Sequence, residues 1–160
     1  MNFEEKTIDS REIYKGRIIE VRLDRVLLPD GRESQREIVT HSGAVAIIAI
    51  DADNCIWMVR QYRKAAEKVL LEIPAGTLQK NEDPLECAQR ELREETGLEA
   101  GVWEQILYYY SAPGFCTDNL HMFLARDLVK GQATTDEDEI LEATRISLKD
   151  AYDYIFQGKI

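Results

Sequence analysis

The chain has 160 residues, of which 44% are hydrophobic and 31% are charged, a balance typical of one folded domain and not of a disordered segment. Its formal net charge of −10 disfavours nucleic acids and anionic membranes as partners, and an anionic substrate would need local arginines or a metal ion. The longest apolar run, AVAIIAI at 44–50, is too short to cross a bilayer.

The cysteines and the first residues indicate the cell compartment. Cys55, Cys87 and Cys116 are widely spaced and form no CxxC pair, so the sequence supports neither a zinc ribbon nor a disulfide framework. The stretch MNFEEKTIDS is polar and acidic, unlike a signal peptide. We therefore expect a cytoplasmic protein.

Strand patterns dominate the first half of the chain. Apolar and polar residues alternate in GRIIEVRLDRVLLPDGRESQREIVTHS (16–42), and the Pro-Asp-Gly at 29–31 predicts a turn between two strands. Three more strands are predicted at 43–50, 55–62 and 70–76, the last of which is ended by Pro74 and Gly76.

One helix is predicted over 83–96, with both of its ends marked. Asp83 is a favourable N-cap, Pro84 suits the first helical position, and Glu86 three residues after the cap completes a capping box. Gly97 suits the position just beyond the last turn.

The remaining pattern predicts strands at 102–111, 119–128 and 140–148. A final helix begins near Leu148, with Ala151, Tyr154 and Ile155 on one face. Strands on both sides of a central helix, followed by a terminal helix, predict an α/β fold in which a mixed sheet lies between helices.

The segment RELREE at 90–95 places three glutamates at one end of the predicted helix. At about 100° per residue the core-facing stripe contains Leu85, Ala88, Leu92 and Thr96, and Glu91 and Glu95 border it. Two interpretations remain open on these residues alone. In the first, Arg90 and Arg93 neutralise the glutamates on a solvated helix face through pairs such as Arg90–Glu94 and Glu86–Arg90. In the second, the stacked carboxylates bind a hard divalent cation such as Mg²⁺.

The wider spacing favours the second interpretation. The segment GTLQKNEDPLECAQRELREETGL (76–98) reads G-x5-E-x7-REL-x-EE-x-GL and resembles the signature of the Nudix hydrolases at every fixed position. RQYRK and LEIPAG before it, SAPGF and the acidic DEDE at 136–139 after it, and the strand REIVTHSGAVAI resemble the ADP-ribose pyrophosphatase branch.

The resemblance implies a Nudix α/β/α sandwich with a mixed sheet, plus an N-terminal antiparallel strand hairpin. Residues 1–41 would form a strand arm for dimerisation and substrate binding, and 42–160 the Nudix hydrolase domain. A homodimer through swapped N-terminal strands is implied, as is Mg²⁺, with Mn²⁺ possible. Relatives in this branch continue beyond YIFQGKI with another helix.

The resemblance also implies roles for single residues. Glu91, Glu94 and Glu95 correspond to metal ligands, joined by the backbone carbonyl of Ala75, and Glu94 and Glu95 belong to the catalytic set. The structural positions of the box are Gly76, Glu82, Arg90 and Gly97, with a Glu82–Arg90 salt bridge fixing the loop.

A general base is implied on the loop after the Pro-Gly pair. Relatives place a glutamate where PGFCTDNLH has Asp118, which is one methylene shorter. Asp118 therefore serves as the base, or Glu94 takes that role and Asp118 only forms a turn.

Substrate contacts are implied for Pro113 and Gly114 of SAPGF, the first of which is associated with ADP-ribose preference. Arg63 suits a phosphate, and Arg36 and Glu37 would reach a partner's active site. Tyr108–Tyr110 would stack on adenine or pack in the core or an interface. His41 and His121 are interpreted as structural residues or minor polar contacts.

The leading functional hypothesis is hydrolysis of ADP-ribose to AMP and ribose 5-phosphate. The alternatives are a broader nucleoside diphosphate sugar hydrolase acting on ADP-glucose or GDP-mannose, and a non-catalytic Nudix module that senses such nucleotides. A sensor is disfavoured because all three box glutamates are present.

Overall fold

The computed structural model describes residues 2–131 and 140–160, and the chain divides into two compact units. The first unit contains the residues up to Gly43 together with Tyr109–Asn119, and the second contains Ala44–Tyr108 and the described part of Leu120–Ile160. The predicted DEDE motif at 136–139 lies outside the described residues. Within those residues no helix combines the length and the apolar character that a bilayer span requires.

The first unit is built on a three-stranded antiparallel sheet. Its strands are β1 (Lys6–Lys15), β2 (Glu20–Leu27) and β3 (Glu33–Thr40), in the order β1-β2-β3. The predicted hairpin corresponds to β2 and β3, whose turn contains Gly31 at a φ of 86°. Strand β1 was not predicted, because all ten of its residues are exposed and its sequence lacks a clear period of two.

The loop segment of the first unit is fixed to the end of β3. The Val39 N–H donates to the Phe115 carbonyl at 2.7 Å, and the Thr117 N–H donates to the Val39 carbonyl at 2.9 Å. These bonds hold the 115–117 backbone parallel to β3.

The second unit contains a mixed sheet, apart from the strand-end residues Tyr109, Tyr110 and Asn119, which belong to the first unit. Its strands are β4 (Ala44–Ile50), β5 (Cys55–Arg63), β6 (Lys68–Glu72), β7 (Ala75–Thr77), β8 (Leu98–Tyr110), β9 (Asn119–Lys130) and β10 (Leu141–Ser147). The main order is β10-β5-β4-β9-β8, with β6 paired to β5 and β7 to β4. Strands β4 and β9 are parallel, whereas β5 is antiparallel to β4 and to β10.

Two helices cover opposite faces of this sheet: α1 (Pro84–Thr96) and α2 (Leu148–Phe156). Val45, Ile47 and Ala49 of β4 pack into the cluster that contains Cys87, Ala88 and Leu92 of α1. Ile48, which points the other way, packs into the cluster that contains Ala151 of α2. The continuous apolar run of β4 follows from this two-sided burial, and the predicted α/β/α sandwich is confirmed.

Three details of the prediction were wrong. The strand expected at 70–76 is divided into β6 and β7, because Pro74 lacks the N–H that a continuous ladder needs. In α1, Leu85 is exposed while Cys87 and Glu95 are buried, so the helix is rotated from the expected stripe. In α2, Ala151 is buried as expected but Ile155 is 57% exposed.

Candidate active site

The ends of α1 fix the position of the carboxylates that it carries. The Asp83 carboxylate accepts hydrogen bonds from the backbone N–H groups of Leu85 and Glu86, at 2.9 and 3.3 Å. At the other end Gly97 adopts a left-handed φ of 69°, and its N–H donates to the Arg93 carbonyl at 2.9 Å. The predicted N-cap and the terminating glycine are confirmed.

Gly76 lies directly against Glu91. A Cβ atom added at Gly76 would lie 1.9 Å from both Cδ and Oε1 of Glu91, far closer than any real contact. A glycine at this position therefore lets the backbone of β7 approach the helix closely enough to meet the Glu91 carboxylate.

Glu95 is a buried carboxylate, with 5% of its surface exposed. Its Oε2 accepts a hydrogen bond from the backbone N–H of Ala75 at 3.0 Å. A buried carboxylate requires compensation for the loss of hydration, and this bond supplies part of it. The consecutive residues Ala75 and Gly76 thus contact Glu95 and Glu91 respectively.

Arg90 joins the remaining carboxylates of the box. Its Nε and Nη2 donate to the two oxygens of Glu82 at 2.9 and 3.1 Å. Its Nη1 lies 2.7 Å from Glu91 Oε1 and 2.9 Å from Glu94 Oε2. The guanidinium therefore offsets the repulsion among these glutamates and connects α1 to the loop that carries Glu82.

Charge pairing and burial shift the ionisation of this group of side chains. The hydrogen bonds from Arg90 lower the pKa of Glu82, which also accepts the Gln79 N–H at 2.8 Å. The bond to Glu82 raises the pKa of Arg90. Burial raises the pKa of Cys87 to about 12, so this thiol, 3.3 Å from Arg90 Nη2, stays protonated.

The donor set fits a hard divalent cation. Glu91, Glu94 and Glu95 would supply carboxylate oxygens and Ala75 a backbone carbonyl, the oxygen donors that Mg²⁺ takes. As the side chains stand, the described residues contain no group of three acidic, histidine or cysteine side chains arranged around one point. Glu91 and Glu94 face Arg90, and Glu95 accepts the Ala75 N–H.

Arg63, the predicted phosphate contact in this unit, is already paired. Its Nε donates to Glu72 Oε2 at 2.9 Å, across the β5–β6 pairing. The pair is partly exposed to solvent, so it contributes little to stability.

In the first unit, Arg36 and Glu37 lie on β3. The Arg36 guanidinium binds both oxygens of Glu5, at 2.8 and 2.5 Å, and donates to Ser34 Oγ at 3.0 Å. Glu37 is exposed and pairs in register with Leu23 of β2. The structure of the single chain therefore ties Arg36 to the N-terminal segment.

Pro113 and Gly114 are exposed in the loop that follows β8. A Cβ at Gly114 would meet no atom within 4 Å, so local packing does not require a glycine there. The same loop carries Asp118, whose Oδ2 accepts a hydrogen bond from Ser111 Oγ at 2.6 Å. Its Oδ1 lies 2.9 Å from His41 Nδ1.

Sequence reasoning missed the contact between His41 and Asp118. It depends on the pairing of the 115–117 backbone with β3, which no local pattern predicts. In the second unit Tyr108 is exposed and packs against the ring of His121, with ring centroids 4.8 Å apart, so it is not a core residue.

Comparison with known proteins gives family matches that together span residues 5–159. A family model described as NUDIX domain matches residues 40–159, and one described as nucleoside diphosphate sugar hydrolase N-terminal domain matches residues 5–39. The chain is 46% identical to a methanol dehydrogenase activator of Bacillus methanolicus over 160 residues, which covers 99% of this chain and 86% of that protein.

One further relative and one solved structure are also similar to this chain. The chain is 43% identical to an ADP-ribose pyrophosphatase of Bacillus subtilis (strain 168) over 152 residues, covering 94% of this chain and 82% of that protein. A crystal structure of an ADP compounds hydrolase superposes with a TM-score of 0.84 at 21% identity, covering 98% of this chain and 85% of the other, and thus shares its fold. The box geometry, the fold and these matches lead to one conclusion: the chain belongs to the Nudix hydrolase family.

Proposed function

We propose that this chain hydrolyses the pyrophosphate bond of ADP-ribose and releases AMP and ribose 5-phosphate. The observation that carries the proposal is the contact of Ala75 and Gly76 with Glu95 and Glu91, in a box whose glutamates are all present. The similarity to the ADP-ribose pyrophosphatase of Bacillus subtilis supports this choice of substrate.

Glu91, Glu94 and Glu95, together with the carbonyl of Ala75, would hold Mg²⁺, or Mn²⁺ in its place. When bound, such an ion neutralises the charge of the pyrophosphate and lowers the pKa of a coordinated water. Glu82 and Arg90 are not ligands in this proposal. They fix the loop that follows Gly76, and Gly97 ends the helix that carries the ligands.

The other residues bind the substrate and move a proton. Arg63 would leave Glu72 to bind a phosphate, and Asp118 would accept a proton from the attacking water, with Glu94 as the alternative base. Further substrate contacts are assigned to Arg36, Glu37, Pro113 and Gly114.

Two alternatives remain. A broader nucleoside diphosphate sugar hydrolase, acting on ADP-glucose or GDP-mannose, is favoured by the match of residues 5–39 to the N-terminal domain of such enzymes. A non-catalytic nucleotide sensor is disfavoured because Glu91, Glu94 and Glu95 are all retained.

We also propose a cytoplasmic homodimer that associates through its N-terminal strands. Residues 1–41 would form the arm and 42–160 the hydrolase domain. The three free cysteines support a reducing compartment.

Product analysis tests the proposal. Purified protein with Mg²⁺ is given ADP-ribose, ADP-glucose, GDP-mannose or a nucleoside triphosphate, and we expect AMP and ribose 5-phosphate to form fastest from ADP-ribose. Glu95→Gln should abolish turnover, whereas Glu86→Gln, an exposed position on the same helix, should not. Faster cleavage of another sugar nucleotide would select the first alternative, and binding of ADP-ribose without cleavage would select the second.

A further inference from the structure

One oxygen of Asp118 is buried without a hydrogen-bond donor aligned to it. This is Oδ1, and the polar atom beside it is His41 Nδ1, at 2.9 Å. The same nitrogen lies 3.1 Å from the Gly43 amide nitrogen, and it can accept that N–H only in the tautomer that has no proton on Nδ1. A buried carboxylate oxygen costs free energy unless a donor faces it, so the form of His41 with a proton on Nδ1 is the one that would compensate Asp118, by donating to Oδ1.

The other oxygen of Asp118 has a different environment. Oδ2 accepts from Ser111 Oγ at 2.6 Å, and the side chain as a whole is 26% exposed. Because Oδ1 is buried, the exposed surface lies on the other atoms of the side chain, which include Oδ2. The two oxygens are therefore distinguished: Oδ1 lies beside the histidine, and Oδ2 accepts a hydrogen bond from the serine.

The backbone on both sides of this contact is also fixed. The His41 N–H donates to Thr117 Oγ1 at 3.0 Å, and Thr117 Oγ1 lies 3.1 Å from the His41 carbonyl. The Ser111 N–H donates to the Asp118 carbonyl at 3.1 Å, and the Asp118 N–H donates to Cys116 Sγ at 3.4 Å. Hydrogen bonds on both sides of the His41–Asp118 contact thus hold the backbone of both residues in place.

We propose that His41 is a positioning residue for Asp118: its ring, donating from Nδ1, fixes Oδ1 in the interior and leaves Oδ2 as the oxygen that accepts the proton. This inference rests on the proposed function, in which Asp118 is the general base. His41 itself neither accepts the proton nor contacts the substrate in this proposal. Asp118 is one methylene shorter than the glutamate that relatives have at this place. Alignment by His41 would allow this shorter side chain to act as the base.

The test compares His41→Ala, His41→Asn and Asp118→Asn in the full chain with ADP-ribose and Mg²⁺. His41→Ala should lower kcat at least tenfold and leave KM within about twofold, because the base is misdirected while substrate contacts remain. His41→Asn should retain most of the rate, since its amide can occupy the place of Nδ1. In the Asp118→Asn background, His41→Ala should cause less than a further twofold loss.

The chain offers a matched control. It contains two histidines, and the second, His121, contacts Gln105 and Tyr108 in the other unit, so His121→Ala should leave kcat unchanged. A measurement without turnover accompanies the kinetics. In NMR spectra at one pH, Asp118→Asn should shift the ring signals of His41 and leave those of His121 in place.

The results distinguish a failure of the proposed function from a failure of the positioning role. No cleavage by the wild type, or a wild-type rate for Asp118→Asn, would overturn the proposed activity or the base assignment, and with them the role of His41. An inactive Asp118→Asn beside a fully active His41→Ala would overturn only the positioning role. Equal losses of kcat for His41→Ala and His41→Asn would also overturn the positioning role. So would a loss from His41→Ala that is as large in the Asp118→Asn background as in the wild type.

Discussion

The space that a side chain at Gly76 would need is occupied by the carboxylate of Glu91. A Cβ at Gly76 would meet Glu91 Cγ at 2.5 Å and Oε1 at 1.9 Å. Gly76 is therefore required because a side chain there would collide with Glu91, a candidate metal ligand of the same Nudix box. Its φ is not positive, so the backbone conformation alone does not require a glycine.

Gly76→Ala should displace Glu91 and impair the metal site. We expect a large loss of activity, a higher Mg²⁺ concentration for half-maximal rate, and a destabilisation of about 1–3 kcal/mol from overpacking. Enzyme assays across Mg²⁺ concentrations and urea unfolding measure these effects. Gly114→Ala, where the added methyl meets no atom within 4 Å, is the control for stability and should leave the unfolding midpoint unchanged. An unaltered Mg²⁺ dependence for Gly76→Ala would contradict the assignment of Glu91.

Arg90→Lys should destabilise the protein, because one ammonium cannot span Glu82, Glu91 and Glu94 as the guanidinium does. We expect a loss of about 1–3 kcal/mol. Mg²⁺ should then raise the Tm of the variant more than that of the wild type, because a bound cation would replace the missing neutralisation. Arg93→Lys on the same helix is the control. Equal Mg²⁺ effects on both proteins would argue against a shared carboxylate site.

Arg63→Ala should act on substrate binding and not on the fold. The Arg63–Glu72 pair is partly exposed, so its loss should cost at most about 1 kcal/mol of stability. Loss of a charge-assisted bond to phosphate should raise KM for ADP-ribose by about tenfold. Arg25→Ala, which breaks an exposed pair with Glu33, is the matched control. An unchanged KM for Arg63→Ala would remove Arg63 from the site.

The ion pair between Asp51 and Arg145 should make stability depend on acid pH. The hydrogen bond from Arg145 lowers the pKa of Asp51 in the folded chain, so its stabilising effect is present above the unfolded pKa and is lost as pH falls through the folded one. Asp51→Asn should therefore be less stable than the wild type at neutral pH, and the gap in Tm should close below about pH 4. A gap that persists at low pH would assign the effect to the backbone bonds from Asp53 and Cys55.

Local signals predicted much of the fold. Asp83, Pro84 and Gly97 mark the ends of α1 because capping depends on a few neighbouring residues, and the run at 44–50 predicted a buried strand. The resemblance to the Nudix signature also predicted the salt bridge between Glu82 and Arg90, which the structure contains.

The parts that could not be predicted depend on contacts between distant segments. Glu95 was expected at the border of the core stripe, but α1 is rotated so that this carboxylate is buried against the Ala75 amide. The contact of His41 with Asp118 likewise depends on the register of a loop against β3. The sequence pattern of a single element does not predict either contact, because each contact depends on a partner outside that element.

The parallel pairing of β4 with β9 has a consequence for synthesis on the ribosome. β4 is among the most apolar strands of the chain, and the partner that covers one of its edges is made only after β8. A nascent chain that ends before residue 119 therefore exposes the unpaired edge of the AVAIIAI strand, which is a template for association with other chains. Folding of the sheet must wait for the second half of the polypeptide, and slow or interrupted translation in that half should favour aggregation.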